Sequence, residues 1–199
     1  MLTILSPSIS EMNVLSSRFI AVLFPLEKKE DVSSILEQIK KNYPKATHYC
    51  YALHYQEYEY CSDDGEPSHS AGIPILNAIR SASLDRVLLI VVRYFGGTKL
   101  GLPRLTKAYR DVSKLVSECA KKVELIPGIR AKISMDYSSF SNFKRMATHA
   151  GIHIENPSFE TKVLFFASGS DKILSPLLEG YQCEVLEKEG ILIKMEAKE

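Results

Sequence analysis

No two cysteines in this 199-residue chain are spaced C-x-x-C; Cys50, Cys61, Cys119 and Cys183 lie far apart. That scatter favours neither a zinc site nor a disulfide framework and fits reduced thiols in a cytosolic protein. Long apolar runs are missing too. The stretch from Val87 to Val92 falls far short of the ~20 residues that cross a bilayer, and the first residues lack the basic start and continuous apolar core of a secretory signal. A cytoplasmic protein with no membrane partner is expected. The glycine spacings of a Walker loop and of a dinucleotide fold are absent, as is the G-x-S-x-G nucleophile elbow. No complete catalytic constellation can be read, and no cofactor is expected.

Net charge is nearly absent as well, at +1, but it is unevenly spread. Residues 93–122 hold eight Lys and Arg against Asp111 and Glu118, a local excess of six that attracts polyanions. With 45% hydrophobic and 25% charged residues, the composition is that of a globular protein with a packed core. The length suits two domains of ordinary size.

Residues 1–16 show no clear period and read as an extended lead-in, followed by a strand over Arg18–Leu26. Val32, Ile35, Leu36 and Ile39 recur at helical spacing before Pro44 stops the helix. Residues 46–61, rich in tyrosine, suit one long strand or a hairpin. A second helix is predicted over 71–82, with Ser70 as its cap and Pro74 in its first turn. VLLIVV, between Arg86 and Arg93, reads as a strand buried on both faces. A glycine-rich loop follows, then a helix over 103–122. At 100° per residue, Leu105, Ala108, Tyr109, Val112, Leu115, Val116 and Cys119 share one side of it, and Lys107, Arg110, Lys114 and Lys121 lie nearly opposite. Pro127-Gly128 looks like a domain boundary. Beyond it the order is strand, helix, strand, strand, helix, strand, with Asn156-Pro157 read as the break between the middle strands. That βαββαβ order is ferredoxin-like.

Two blocks carry the densest chemistry. In Ser62-Asp63-Asp64-Gly65-Glu66-Pro67-Ser68, three carboxylates within four positions offer oxygen ligands for magnesium. The same residue types serve turns and helix N-termini, and that reading is preferred, so no metal is expected. In Arg93-Tyr94-Phe95-Gly96-Gly97-Thr98-Lys99, a strand runs through glycines into a helix, an arrangement that cradles phosphate or simply meets a backbone constraint. His48 and His69 lie near these blocks without a readable partner.

Ser17-Arg18-Phe19-Ile20-Ala21, Ala46-Thr47-His48-Tyr49-Cys50-Tyr51-Ala52, the DDGEPS block and the RYFGG block together resemble the YigZ/IMPACT family along nearly the whole chain. The resemblance implies an α+β protein. Its N-terminal half, residues 1–127, would be similar to ribosomal protein S-five domain 2 and to a domain of elongation factor G. Its C-terminal half, 128–199, would be ferredoxin-like. Eukaryotic relatives are associated with control of translation, whereas bacterial relatives have no settled activity. Where the family has Ser-Gly-Thr-Ala-Gly this chain has Ser68-His69-Ser70-Ala71-Gly72. Where the family has a glycine-rich run after Leu100-Gly101, this chain has Leu102-Pro103-Arg104.

The resulting expectation is binding of RNA or a ribosomal surface, with Arg93, Lys99, Arg104, Lys107, Arg110 and Lys114 meeting phosphates. A motif cleft would gather His48, Asp63, Asp64, Glu66, Ser68, Gly96 and Gly97. The competing class is an enzyme acting on a phosphorylated small molecule or peptide in that cleft; a protein partner is a third.

Overall fold

The computed structural model describes residues 1–196 of this α+β chain, which divides into two units, Met1–Val123 and Glu124–Glu196. The first contains β1 (Leu2–Ile4), β2 (Ser8–Val14), β3 (Ser17–Pro25), α1 (Val32–Asn42), β4 (His48–Tyr55), β5 (Tyr58–Ser62), α2 (Gly72–Ser81), β6 (Val87–Tyr94) and α3 (Leu102–Cys119). The expected lead-in is thus two strands, and β2 alternates half-buried and exposed residues as an edge strand should.

The sheet order is β2-β3-β6-β4-β5, and each pairing is antiparallel. β6 lies at the centre. Its odd residues, Val87, Leu89 and Val91, face α2 and α3 together with Phe19, Cys50 and Ala52. Its even residues, Leu88, Ile90 and Val92, face α1 and Ile39. Burial on both sides is why this strand is uniformly apolar, whereas edge strands are not. Residues 46–61 resolve as the β4–β5 hairpin, turning at Gln56, whose φ is +57°.

α3 ends at Cys119, so Lys121 lies beyond it and Lys122 begins β7 (Lys122–Met135). Its buried side is rotated from the expected stripe. Ser113 and Ser117 are inside, and Leu115 and Cys119 are exposed. Ser117 tolerates this because its hydroxyl donates to the Ser113 carbonyl one turn back, 2.8 Å away.

The second unit takes up the rest of β7, then α4 (Tyr137–His149), β8 (His153–Phe159), β9 (Val163–Ser170), α5 (Asp171–Glu179) and β10 (Cys183–Glu196). Strands β8, β9, β7 and β10 are neighbours in that order. Ile129, Ala131, Ile133 and Met135 of β7 face Phe140, Phe143, Leu174 and Leu178, so both helices pack on one side of the sheet. Pro127-Gly128 lies inside β7 rather than in a linker, and the division falls earlier, after Val123. Asn156-Pro157 is a bulge within β8 and not the break between strands. A proline cannot donate to the ladder, which accounts for the bulge. Residues 197–199 of the expected C-terminal domain lie outside the described residues.

Candidate functional site

The acidic block is held together by its own carboxylates. Asp63 Oδ1 accepts from the backbone N–H groups of Ala71 and Gly72 at 2.9 and 2.8 Å, and Oδ2 accepts from His69 N–H at 2.8 Å. Asp63 therefore caps α2 from a distance. The expected cap, Ser70, instead donates to the Pro67 carbonyl at 2.6 Å. Burial opposes the charged form of Asp63, but these three backbone donors outweigh it and hold the carboxyl below its ordinary range. Asp64 has φ +43°, and its Oδ2 accepts from Tyr49 N–H at 2.6 Å. Both side chains are committed to the backbone of this loop and of β4, the turn and helix-end role that aspartates favour. Among the described residues, no group of three or more His, Cys, Asp or Glu side chains is placed to hold a metal ion.

Glu66 goes inward. Its side chain is 4% exposed, and its Oε1 accepts from Arg93 Nη1 at 2.5 Å and from Tyr109 OH at 2.7 Å. Arg93, expected to meet phosphate, is itself buried, at 5% exposure. The reason lies in β-strand alternation: residue 93 shares the face of Leu89 and Val91. Its Nη2 lies 3.4 Å from Ser17 Oγ, its guanidinium stacks on Phe19 and Phe95, and its buried Nε has no hydrogen-bond partner among the described residues. Arg93 is an internal strut, and it leaves the set of outward cations. Cys50 Sγ completes the cluster, 3.3 Å from Tyr109 OH and 2.9 Å from the Asp63 carbonyl. Burial raises both the Cys50 thiol and the Tyr109 phenol well above their ordinary range, so each stays protonated at neutral pH.

A cavity of about 430 Å³ opens beside this cluster. His48, Glu66 and Arg93 form its polar corner, Pro67, Phe95, Leu100, Leu102 and Leu105 its apolar wall, and Lys99 its remaining cation. His48 Nδ1 lies 2.8 Å from the Asp64 carbonyl. A carbonyl only accepts, so Nδ1 carries a proton. The Nε2 of the same ring lies 3.8 Å from Glu66 Oε2.

Of the expected cleft residues, His48 and Glu66 thus meet Arg93 and Lys99 on one cavity. Asp63 and Asp64 face the backbone instead, and Ser68 is exposed in the loop. Gly97, at φ +87°, is exposed with open space beside it. A Cβ on Gly96 would fall 1.8 Å from the Ser16 carbonyl oxygen, which makes this glycine a contact between loops rather than a ligand cradle. Lys99, Arg104, Lys107, Arg110 and Lys114 are exposed along the loop and α3. Lys107 and Arg110 both approach Asp111, and Lys114 pairs with Glu118 at 3.6 Å. Tyr109 was legible only as a packing residue, although a buried phenol needs a partner and so signals a polar group opposite it.

Residues 15–117 match the family model of the Impact N-terminal domain. The chain is 39% identical over 121 residues to an IMPACT family member in the pol 5′ region of Thermus thermophilus, covering 61% of this chain and 66% of that protein. It is 33% identical over 165 residues to the IMPACT family member YvyE of Bacillus subtilis, covering 77% and 75%. A crystal structure of a hypothetical protein shares the fold at a TM-score of 0.65 and 22% identity, over 93% of this chain and 95% of that one.

Proposed function

Because the chain belongs to the IMPACT family, we propose that it binds structured RNA or a ribosomal surface in the control of translation, through the outward face of α3. One observation carries this reading. Lys99, Arg104, Lys107, Arg110 and Lys114 are exposed along one loop and helix, and the opposite side of that helix is anchored by Tyr109 in the core. Their partners, Asp111 and Glu118, are surface carboxylates, and exposed pairs of this kind hold only about 0 to 1 kcal/mol each. Phosphates can therefore displace them at small cost. We read the first unit as the S-five domain 2-type half and the second as the ferredoxin-like half, on its segment order and its β8-β9-β7-β10 sheet. No helix among the described residues is long and apolar enough to cross a membrane, and the four free thiols suit the cytoplasm.

The enzyme reading is weaker, because the strongest phosphate ligand in the cavity, Arg93, is already occupied by Glu66. Co-sedimentation with ribosomes and subunits over a salt series tests the proposal. Association should fall as salt rises, and Lys107→Gln, Arg110→Gln and Lys114→Gln together should flatten the slope by about 0.7 to 0.9 for each phosphate that is no longer neutralised. Unchanged association and slope in the folded triple variant would reject this surface.

A further inference from the structure

We propose that the cavity beside Arg93 receives a carboxylate carried on an apolar body, either a small aliphatic acid or the last residue of a chain that ends in an apolar side chain. The site is separate from the outward stripe of α3 and does not depend on it. Its first mark is a donor without an acceptor. Arg93 lines the cavity and is 5% exposed. Its Nη1 is taken by Glu66 and its Nη2 lies 3.4 Å from Ser17 Oγ, but its Nε is buried with no partner among the described residues. A buried donor left unmade is destabilising, and an acceptor seated against Arg93 removes that cost.

The second mark is the amino end of α3, whose Gly101, Leu102 and Leu105 line the same cavity. Gly101 holds the N-cap position at φ +74°, so no side chain caps the Leu102 and Arg104 N–H groups of the first turn. A helix of 18 residues presents a partial positive charge there. Lys99 adds a full charge on the same wall and has no ion pair among the described residues. Glu66 already balances Arg93, with its Oε2 3.8 Å from His48 Nε2, so Lys99 is the cation left over. That surplus matches a monoanion and falls short of a phosphate dianion. The apolar wall sets the rest of the ligand. Phe95, 41% exposed, and Leu102, 55% exposed, stand beside Leu100 and Leu105, and inorganic phosphate or a sugar–phosphate backbone has nothing apolar to cover them. About 430 Å³ lies in the range of cavities that take small molecules.

NMR titration with isocaproate tests the site, with isocaproamide as the uncharged control. The acid should shift the Arg93 Nε–H signal and the backbone N–H signals of Gly101 and Leu102. It should bind about ten-fold or more tightly than isocaproamide, because charge-assisted hydrogen bonds are roughly twice as strong as neutral ones, and more tightly than acetate or inorganic phosphate. Leu102→Asp keeps the fold, since an acidic residue is favourable in the first turn of a helix, and should abolish binding of the acid; Leu102→Asn should weaken it less. The Lys107, Arg110 and Lys114 glutamine variant should bind isocaproate unchanged. Tighter binding of acetyl-Ala-Ala-Leu than of isocaproate assigns the cavity to a chain end, and equal or weaker binding assigns it to a free acid. Isocaproamide binding as tightly as isocaproate, or an Arg93 Nε–H signal that does not move, would overturn the proposal. Phosphate binding more tightly than isocaproate would overturn it in favour of a phosphorylated ligand, and an oligonucleotide that moves these signals where isocaproate does not would overturn it in favour of RNA. No isocaproate binding beside salt-sensitive ribosome association would overturn this site and leave the α3 surface standing.

Discussion

Arg93 and Lys107 belong to the same basic segment, but one is an internal strut and the other an outward charge. The inner region, Glu66 with Arg93 and Tyr109, is buried and saturated at Glu66 Oε1; the outer stripe of α3 is exposed and loosely paired. A local charge excess counted along a chain therefore overstates the charge a surface presents. The same element supplies both regions, since Tyr109 points in from the helix whose other side carries Lys107, Arg110 and Lys114.

The largest effect that separates these regions comes from breaking the inner pair. Glu66→Ala or Arg93→Ala leaves a buried charge without a counterpart and should cost about 3 to 5 kcal/mol by urea denaturation. Glu66→Leu, Arg93→Met and Tyr109→Phe combined should recover most of that stability, because the cost lies in the orphaned charge; no recovery would mean the pair contributes net stability of its own. Next comes the distant cap. Asp63→Asn should destabilise by about 0.5 to 2 kcal/mol at neutral pH. Since folding depresses this carboxyl, its contribution is present above the unfolded pKa and is lost as pH falls through the folded one. The gap between wild type and Asp63→Asn should therefore close in acid, and a gap independent of pH would contradict the assignment.

A smaller effect has the opposite sign. His69 is held at φ +64°, a left-handed conformation that costs a non-glycine residue about 1 to 2 kcal/mol. His69→Gly, the residue the family resemblance places there, should raise stability by about 1 kcal/mol, partly offset by the greater chain entropy of glycine. The smallest effect belongs to the stripe: its three glutamine substitutions should change stability by less than about 1 kcal/mol. A large drop there would erase the contrast between the two regions.

Much of the frame was legible because periodicity follows burial. The all-apolar β6 announced two buried faces, and the βαββαβ order after residue 128 is the one observed. Arg93 was legible too, had alternation been carried two residues past Val91; its charge drew attention away from its phase. Asp63 was not, since its donors lie six to nine residues on and Ser70 occupies the local capping position. Ser117 misled for a related reason: a hydroxyl that bonds to the preceding turn can be buried, and polarity along the sequence does not show that bond. The approach of His48 to Glu66 depends on side-chain rotamers, which have no sequence signature.

The central place of β6 also bears on how the chain is made. During synthesis the β2–β3 and β4–β5 hairpins leave the ribosome before the strand that joins them. Until Val87–Tyr94 emerges, Phe19, Ala21, Cys50 and Ala52 have no shared core to enter, and α2 and α3 have no floor to pack on. The first unit therefore folds late and nearly all at once, when one strand pairs with both hairpins. A nascent chain stalled before residue 87 offers open hairpin edges, and one stalled with α3 free of the tunnel offers a finished sheet.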